Sequence, residues 1–206
     1  MKYLPIGIVI ALLTQSPCLG QIDSIQSCFT KYIWKAQQPK DTSNDGILQY
    51  YKTQDSLVLS CLTTVNRPVF NFTSVKGKPI NEPYLKGKVI ILNFWYMGCA
   101  PCHAEIPAMN RLVKEYSNQN TIAFISMTPD GSDRIKAHFL PYETFHFDII
   151  ADAKEIVKDW ANIYPTTYII DQTGRIINYW KSIPLEQDPK EYFYEMAKST
   201  LRQLKM

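Results

Sequence analysis

Val89-Ile90-Ile91-Leu92-Asn93-Phe94-Trp95-Tyr96-Met97-Gly98-Cys99-Ala100-Pro101-Cys102-His103 carries most of what this chain says about itself. The first half is an apolar run rich in β-branched and aromatic residues, the pattern of a strand buried on both faces. Gly98 interrupts it. Two cysteines follow with two residues between them. Ile106, Met109, Leu112 and Val113 then recur at helical spacing, with Lys114 and Glu115 on the polar side. Cys99 and Cys102 therefore fall where a strand turns into a helix. Free N–H groups and the helix dipole favour an anion at that point. A thiol held there should ionise more readily, and the thiolate is the nucleophile. Pro101 suits the first helical turn, where its missing N–H breaks no bond.

The same residues allow other chemistry. Cys99-Ala100-Pro101-Cys102-His103 also spells the attachment motif of a c-type haem. That motif needs no buried strand before it, and no clear second axial ligand is visible. A zinc site would need two further ligands in suitable spacing; Cys28 and Cys61 exist but lie in a separate region. A plain structural disulfide is the third alternative. Two cysteines this close at a helix start are better placed for exchange than for closing a loop.

Phe94-Trp95 and Cys99-Ala100-Pro101-Cys102 resemble the active-site signature of the thioredoxin superfamily, and most of all that of the extracytoplasmic TlpA/ResA-like thiol-disulfide oxidoreductases. These usually carry Trp just before the first cysteine, where this chain has Gly98. The resemblance covers residues 68–206. It implies an α/β, thioredoxin-like fold: a central mixed β-sheet flanked by helices and preceded by a β-hairpin. The residues agree. Val69, Phe70 and Phe72 supply a first strand, Lys76-Gly77-Lys78 a turn and Pro79-Ile80 the return. A buried strand is expected at 121–128. Ser132 or Asp133 can cap a helix running to about Leu140. A short strand at 145–150 and a helix at 153–163 follow, the helix with Ile156, Val157 and Trp160 on one face. This alternation predicts a sheet largely parallel around its centre. An amphipathic helix over 190–206 closes the chain.

Tyr164-Pro165-Thr166-Thr167 begins a second hairpin, which turns at Thr173-Gly174. It is similar to the family's Pro-Thr-Thr segment, whose proline is cis and faces the two cysteines. The resemblance makes Pro165 a site residue. Trp95, Gly98, Tyr164 and Thr166 are expected to meet the partner protein, Tyr164 through backbone groups offered to an extended strand. Cys99 should be the exposed attacking thiol and Cys102 the resolving one. Thioredoxin-like proteins often carry a buried Asp six residues before the first cysteine; here it is Asn93. Glu105, one helical turn beyond Cys102, could reach the same space, and TlpA/ResA-like proteins resemble this chain in pairing that Asn with that Glu. Glu105 is therefore expected to be the proton acceptor; the alternative is a solvated glutamate favoured by the dipole. His103 is expected on the exposed side of the helix start. His138 and His146 have no catalytic partner beside them in sequence.

Residues 1–20 read as a secretory leader: Lys2, a short apolar core over 4–13, then Cys18-Leu19-Gly20. The core is too short for a bilayer span. Gln15-Ser16-Pro17 makes a poor lipobox, so a lipid anchor on Cys18 fits weakly. Without the leader Cys28, Cys61, Cys99 and Cys102 remain, and an even count in an oxidising compartment fits two pairs. Cys28 and Cys61 lie in a helical extension, residues 21–67, and are expected to pair with each other; the alternative is two buried free thiols. Net charge is +3 without a basic stripe, which argues against nucleic acid.

The expectation is a periplasmic or secreted monomer. It would exchange a dithiol with protein disulfides, as a reductant fed by an upstream donor, in processes such as cytochrome c maturation. It needs no cofactor and no metal, and the mature chain has no membrane span. The rival is a thioredoxin-like copper carrier holding Cu(I) through Cys99 and Cys102. Copper-binding relatives usually have wider cysteine spacing and a dedicated histidine. A peroxidase would place its reactive cysteine in a different local sequence.

Overall fold

A computed structural model describes residues 24–34, 39–65, 67, 69–161, 163–181 and 188–206. The leader expected at residues 1–20 lies outside the described residues. The apolar run becomes β3 (Val89–Phe94), every residue of which is buried. It is the central strand of five. β3 pairs in parallel with β4 (Ile122–Met127), and β4 with β5 (Asp148–Ile150). On the other side β3 pairs antiparallel with β6 (Thr166–Ile170), and β6 with β7 (Ile176–Lys181), giving the order β5-β4-β3-β6-β7. The sheet is thus parallel on one side of its centre only, because β6 and β7 form the second hairpin.

Alternation along β3 divides the core. Ile90, Leu92 and Phe94 join one apolar cluster; Val89 and Ile91 join the other, as does Trp95 just beyond the strand. The second cluster takes in α4 (Ala100–Glu115), α5 (Ser132–His138) and α7 (Pro189–Gln203) through Ile106, Met109, Leu112, Ile135, Phe193, Ala197 and Leu201. The first is covered by α6 (Lys154–Trp160) and by the N-terminal helices α1 (Ile25–Phe29) and α2 (Asn44–Leu62), with a π-helical turn over Thr30–Trp34 between them. Cys28 and Cys61 are joined in a disulfide, Cα atoms 5.7 Å apart. Asp55 of α2 accepts from the Tyr179 hydroxyl at 2.8 Å and pairs with Lys181 at 3.1 Å, fixing α2 to β7.

The first hairpin is β1 (Asn71–Thr73) and β2 (Pro79–Asn81), followed by α3 (Glu82–Leu85). Gly77 turns it with φ +83°, a backbone suited to glycine. The turn docks on the sheet edge: Val75 N–H donates to Ile149 carbonyl at 2.8 Å, and Lys78 meets Asp148 at 2.5 Å. This covers an edge strand that would otherwise be open.

Three local expectations need correction. Neither Ser132 nor Asp133 caps α5; Gly131 is the N-cap, and the Asp152 carboxylate takes the Ser132 N–H at 2.9 Å. The helix at 153–163 ends at Trp160, whose carbonyl accepts from the buried Tyr168 hydroxyl at 2.6 Å. The strand at 145–150 shrinks to three residues, because Phe145 and Phe147 stack on each other, centroids 5.3 Å apart, inside the second cluster.

Candidate active site

Cys99 is the N-cap of α4, and its sulfur accepts from the Cys102 N–H at 3.2 Å. Pro101 sits in the first turn, and no acidic residue does. The two cysteines are disulfide-bonded, Cα atoms 5.2 Å apart. The sequence places Cys99 at an exposed helix tip, but the structure buries it: Cys99 is 3% exposed and Cys102 2%. Met97 and Tyr164 pack against the apolar cluster that holds both cysteines. In the oxidised protein the pair is part of the core.

Glu105 continues the same buried face, one turn past Cys102, and is wholly buried. Neither carboxylate oxygen has a hydrogen-bond partner among the described residues. Burial without compensation penalises the charged form and pushes the Glu105 carboxyl up to about 8. Strand register sets a polar row on the sheet face toward α4: Asn93 lies opposite Ser126 on β4 and opposite Thr167 on β6. All three are buried. Asn93 donates its side-chain amide to the Thr167 hydroxyl at 2.9 Å, while Asn93 Oδ1 and Ser126 Oγ have no partner among the described residues. An ionisable group and three neutral polar ones thus share the layer between redox helix and sheet.

The Tyr164–Pro165 bond is cis. Phe94 pairs with Thr166, so Pro165 lies opposite the start of the loop that runs from Trp95 to Cys99. Two residues expected to meet a partner are in the core instead. Trp95 is 1% exposed and packs on Phe139 and Phe145, ring centroids 4.6 and 5.6 Å away. Thr166 is buried, and its hydroxyl donates to Ile163 carbonyl at 2.6 Å. Gly98 and Tyr164 do reach the surface, with Tyr96 beside them. The rings of Tyr96 and Tyr164 meet edge to face at 5.1 Å. A Cβ on Gly98 would lie 3.2 Å from Tyr96 Cε2, so the missing side chain leaves room for Tyr96 to lie there.

Two polar residues were missed. His103 is no free surface histidine: its Nε2 is 2.9 Å from Met97 carbonyl, and its ring meets Trp95 and Phe139 edge to face. Asp130, read only as part of a loop, accepts the Met97 N–H at 2.6 Å and pairs with Arg134 at 2.9 Å. The Asp130–Arg134 pair has a local signal in its four-residue spacing, but the contacts of His103 and Asp130 with Met97 run to backbone and leave none. Among the described residues no group of three or more His, Cys, Asp and Glu is placed to hold a metal ion.

A mixed sheet with a cysteine pair capping the helix after its central strand defines a thioredoxin-like dithiol protein. Comparison with known proteins agrees. The AhpC/TSA family model matches residues 65–179. Thiol-disulfide oxidoreductase ResA of Bacillus thuringiensis subsp. konkukian is 32% identical over 132 residues, covering 63% of this chain and 76% of that protein. Thioredoxin-like protein YneN of Bacillus subtilis is 35% identical over 111 residues, 53% of this chain and 65% of YneN. Among solved structures, a thioredoxin-family thiol:disulfide interchange protein from Chlorobium tepidum superposes with a TM-score of 0.54 at 24% identity, over 66% of this chain and 95% of that one. The chain belongs to the AhpC/TSA family, and within it to the ResA-like thiol-disulfide oxidoreductases.

Proposed function

We infer that the protein reduces disulfides of partner proteins outside the cytoplasm, working through Cys99 and Cys102. The observation that carries this is the bonded cysteine pair at the N-terminus of α4 with an unpaired, buried Glu105 one turn further on. In the reduced protein the Cys99 thiolate attacks one sulfur of a partner disulfide and displaces the other as thiolate. Glu105 in its carboxylate form accepts the Cys102 proton, and the Cys102 thiolate then attacks Cys99 sulfur. The second partner sulfur leaves as thiolate, and protons from Glu105 and solvent complete two thiols. The partner gains two electrons and the protein becomes the disulfide. An upstream dithiol donor restores it; no cofactor enters.

Tyr164 and Gly98 form the partner surface in this reading, beside Tyr96, and the buried Pro165 sets the backbone that presents Tyr164. The leader at 1–20, the extension at 21–67, the redox unit at 68–206 and action as a monomer belong to the same proposal. The bonded Cys28–Cys61 pair supports an oxidising compartment, and processes such as cytochrome c maturation supply suitable partners. Two assays test it. Insulin-disulfide reduction by the whole chain should be lost in Cys99→Ser, and an alkaline phosphatase fusion behind residues 1–67 should be active only if exported. Copper retained through gel filtration with no insulin turnover would favour the copper carrier instead.

A further inference from the structure

Met97 stands two residues before Cys99, and both of its backbone polar groups are held by side chains. Its N–H donates to Asp130 at 2.6 Å, and its carbonyl lies 2.9 Å from His103 Nε2. His103 Nδ1 lies 3.6 Å from the Glu143 carboxylate. We propose that His103 is a positioning residue for thiol exchange: through Met97 it holds the loop that presents Cys99, with Glu143 on the other side of its ring. This rests on exchange at Cys99 and Cys102.

The first turn of α4 needs such a restraint. Pro107 lies inside the helix and has no N–H to give to the carbonyl of His103, four residues earlier. The turn bearing both cysteines therefore lacks one backbone tie to the rest of α4. The His103 ring supplies another, to the loop on the far side of Cys99. Met97 carbonyl can only accept, so Nε2 carries the proton in this bond. Nδ1 then faces the Glu143 carboxylate on the other side of the ring. The groups around this clamp are few. Glu143 comes from the segment after α5, Asp130 from the loop after β4 and already paired with Arg134 of α5, and the rings of Trp95 and Phe139 close the sides.

The test is the rate of Cys99 alkylation by iodoacetamide in the reduced whole chain at neutral pH. It needs no partner protein, so failure of the exchange reading, seen as absent insulin reduction by wild type, leaves this readout intact. His103→Leu should react about fivefold more slowly than wild type, the equivalent of one hydrogen bond. His103→Gln keeps a donor for Met97 carbonyl and should recover most of that rate. Melting curves of each variant separate these effects from unfolding. A folded His103→Gln as slow as His103→Leu, or a folded His103→Leu reacting at the wild-type rate, overturns the proposal.

Discussion

Glu105 follows Cys102 by one helical turn on a face that is wholly buried, and its carboxylate meets no hydrogen-bond donor among the described residues. The fold stabilises that carboxyl only in its neutral form. In the proposed exchange the uncompensated burial has a use: the fraction of Glu105 that ionises is a stronger base than a solvated glutamate and closer in strength to a thiol.

Stability should therefore fall as pH rises. The unfolded chain loses the Glu105 proton near the ordinary value of 4.5, while the folded, oxidised protein keeps it up to about 8. Between those limits the folded state binds more protons, so raising pH favours unfolding, by a few kcal/mol in total on an order-of-magnitude basis. Glu105→Gln removes this slope. Urea midpoints on both sides of the window should show the variant more stable than wild type at the alkaline end. An identical alkaline loss in the variant would place the titration elsewhere.

Glu105→Gln should also slow resolution of the mixed disulfide near neutral pH, by roughly the 10²–10⁴-fold a positioned acid–base group contributes. Quenched-flow alkylation of the mixed species measures the step directly. An unchanged rate in a folded variant would reduce Glu105 to a buried packing residue.

The Cys28–Cys61 bond closes a loop with a sequence separation of 33 and lies in the core shared by the N-terminal helices and the sheet. Its loss through the paired change Cys28→Ala and Cys61→Ala should destabilise the protein by about 3–4 kcal/mol on loop-closure entropy. Insulin reduction at a temperature where the variant stays folded should persist. Loss of that activity with the fold intact would give the second disulfide a part in the exchange.

Gly98→Ala should separate partner docking from chemistry. The added Cβ meets Tyr96 at 3.2 Å and moves that ring from its place against Tyr164. Gly98 is exposed, so the melting temperature should change by no more than about 0.5 kcal/mol would produce. KM for a protein disulfide should rise severalfold, while turnover of glutathione disulfide stays near wild type. Equal effects on both substrates would mean that the change acts on Cys99 itself.

Much of the fold was legible because its central strands are buried on both faces. Val89–Phe94, Ile122–Met127 and Thr166–Ile170 contain long β-branched and aromatic runs that periodicity identifies. Edges were less legible. The aromatic spacing of Phe145 and Phe147 suggests a strand, but it serves packing around Trp95 in a segment outside the ladder. The start of α2 carries no periodic signal: Gly46 lies inside the helix and donates to the Ser43 cap. In the site, the cysteine pair and Glu105 announce themselves by spacing. Burial of Trp95, Thr166 and Cys99 follows from the assembled core, and no local pattern encodes it. The His103 contacts run to a backbone carbonyl and to a carboxylate forty residues downstream, so they exist only once the chain has folded.

Trapping the mixed disulfide tests the central claim most directly. The reduced Cys102→Ser protein, mixed with a disulfide-bonded protein substrate, should accumulate a covalent adduct that dithiothreitol releases. Peptide mass mapping should place the link on Cys99 alone, and Cys99→Ser should form none. An adduct mapped to Cys28 or Cys61, or equal trapping by Cys99→Ser, would contradict exchange through the cysteine that caps α4.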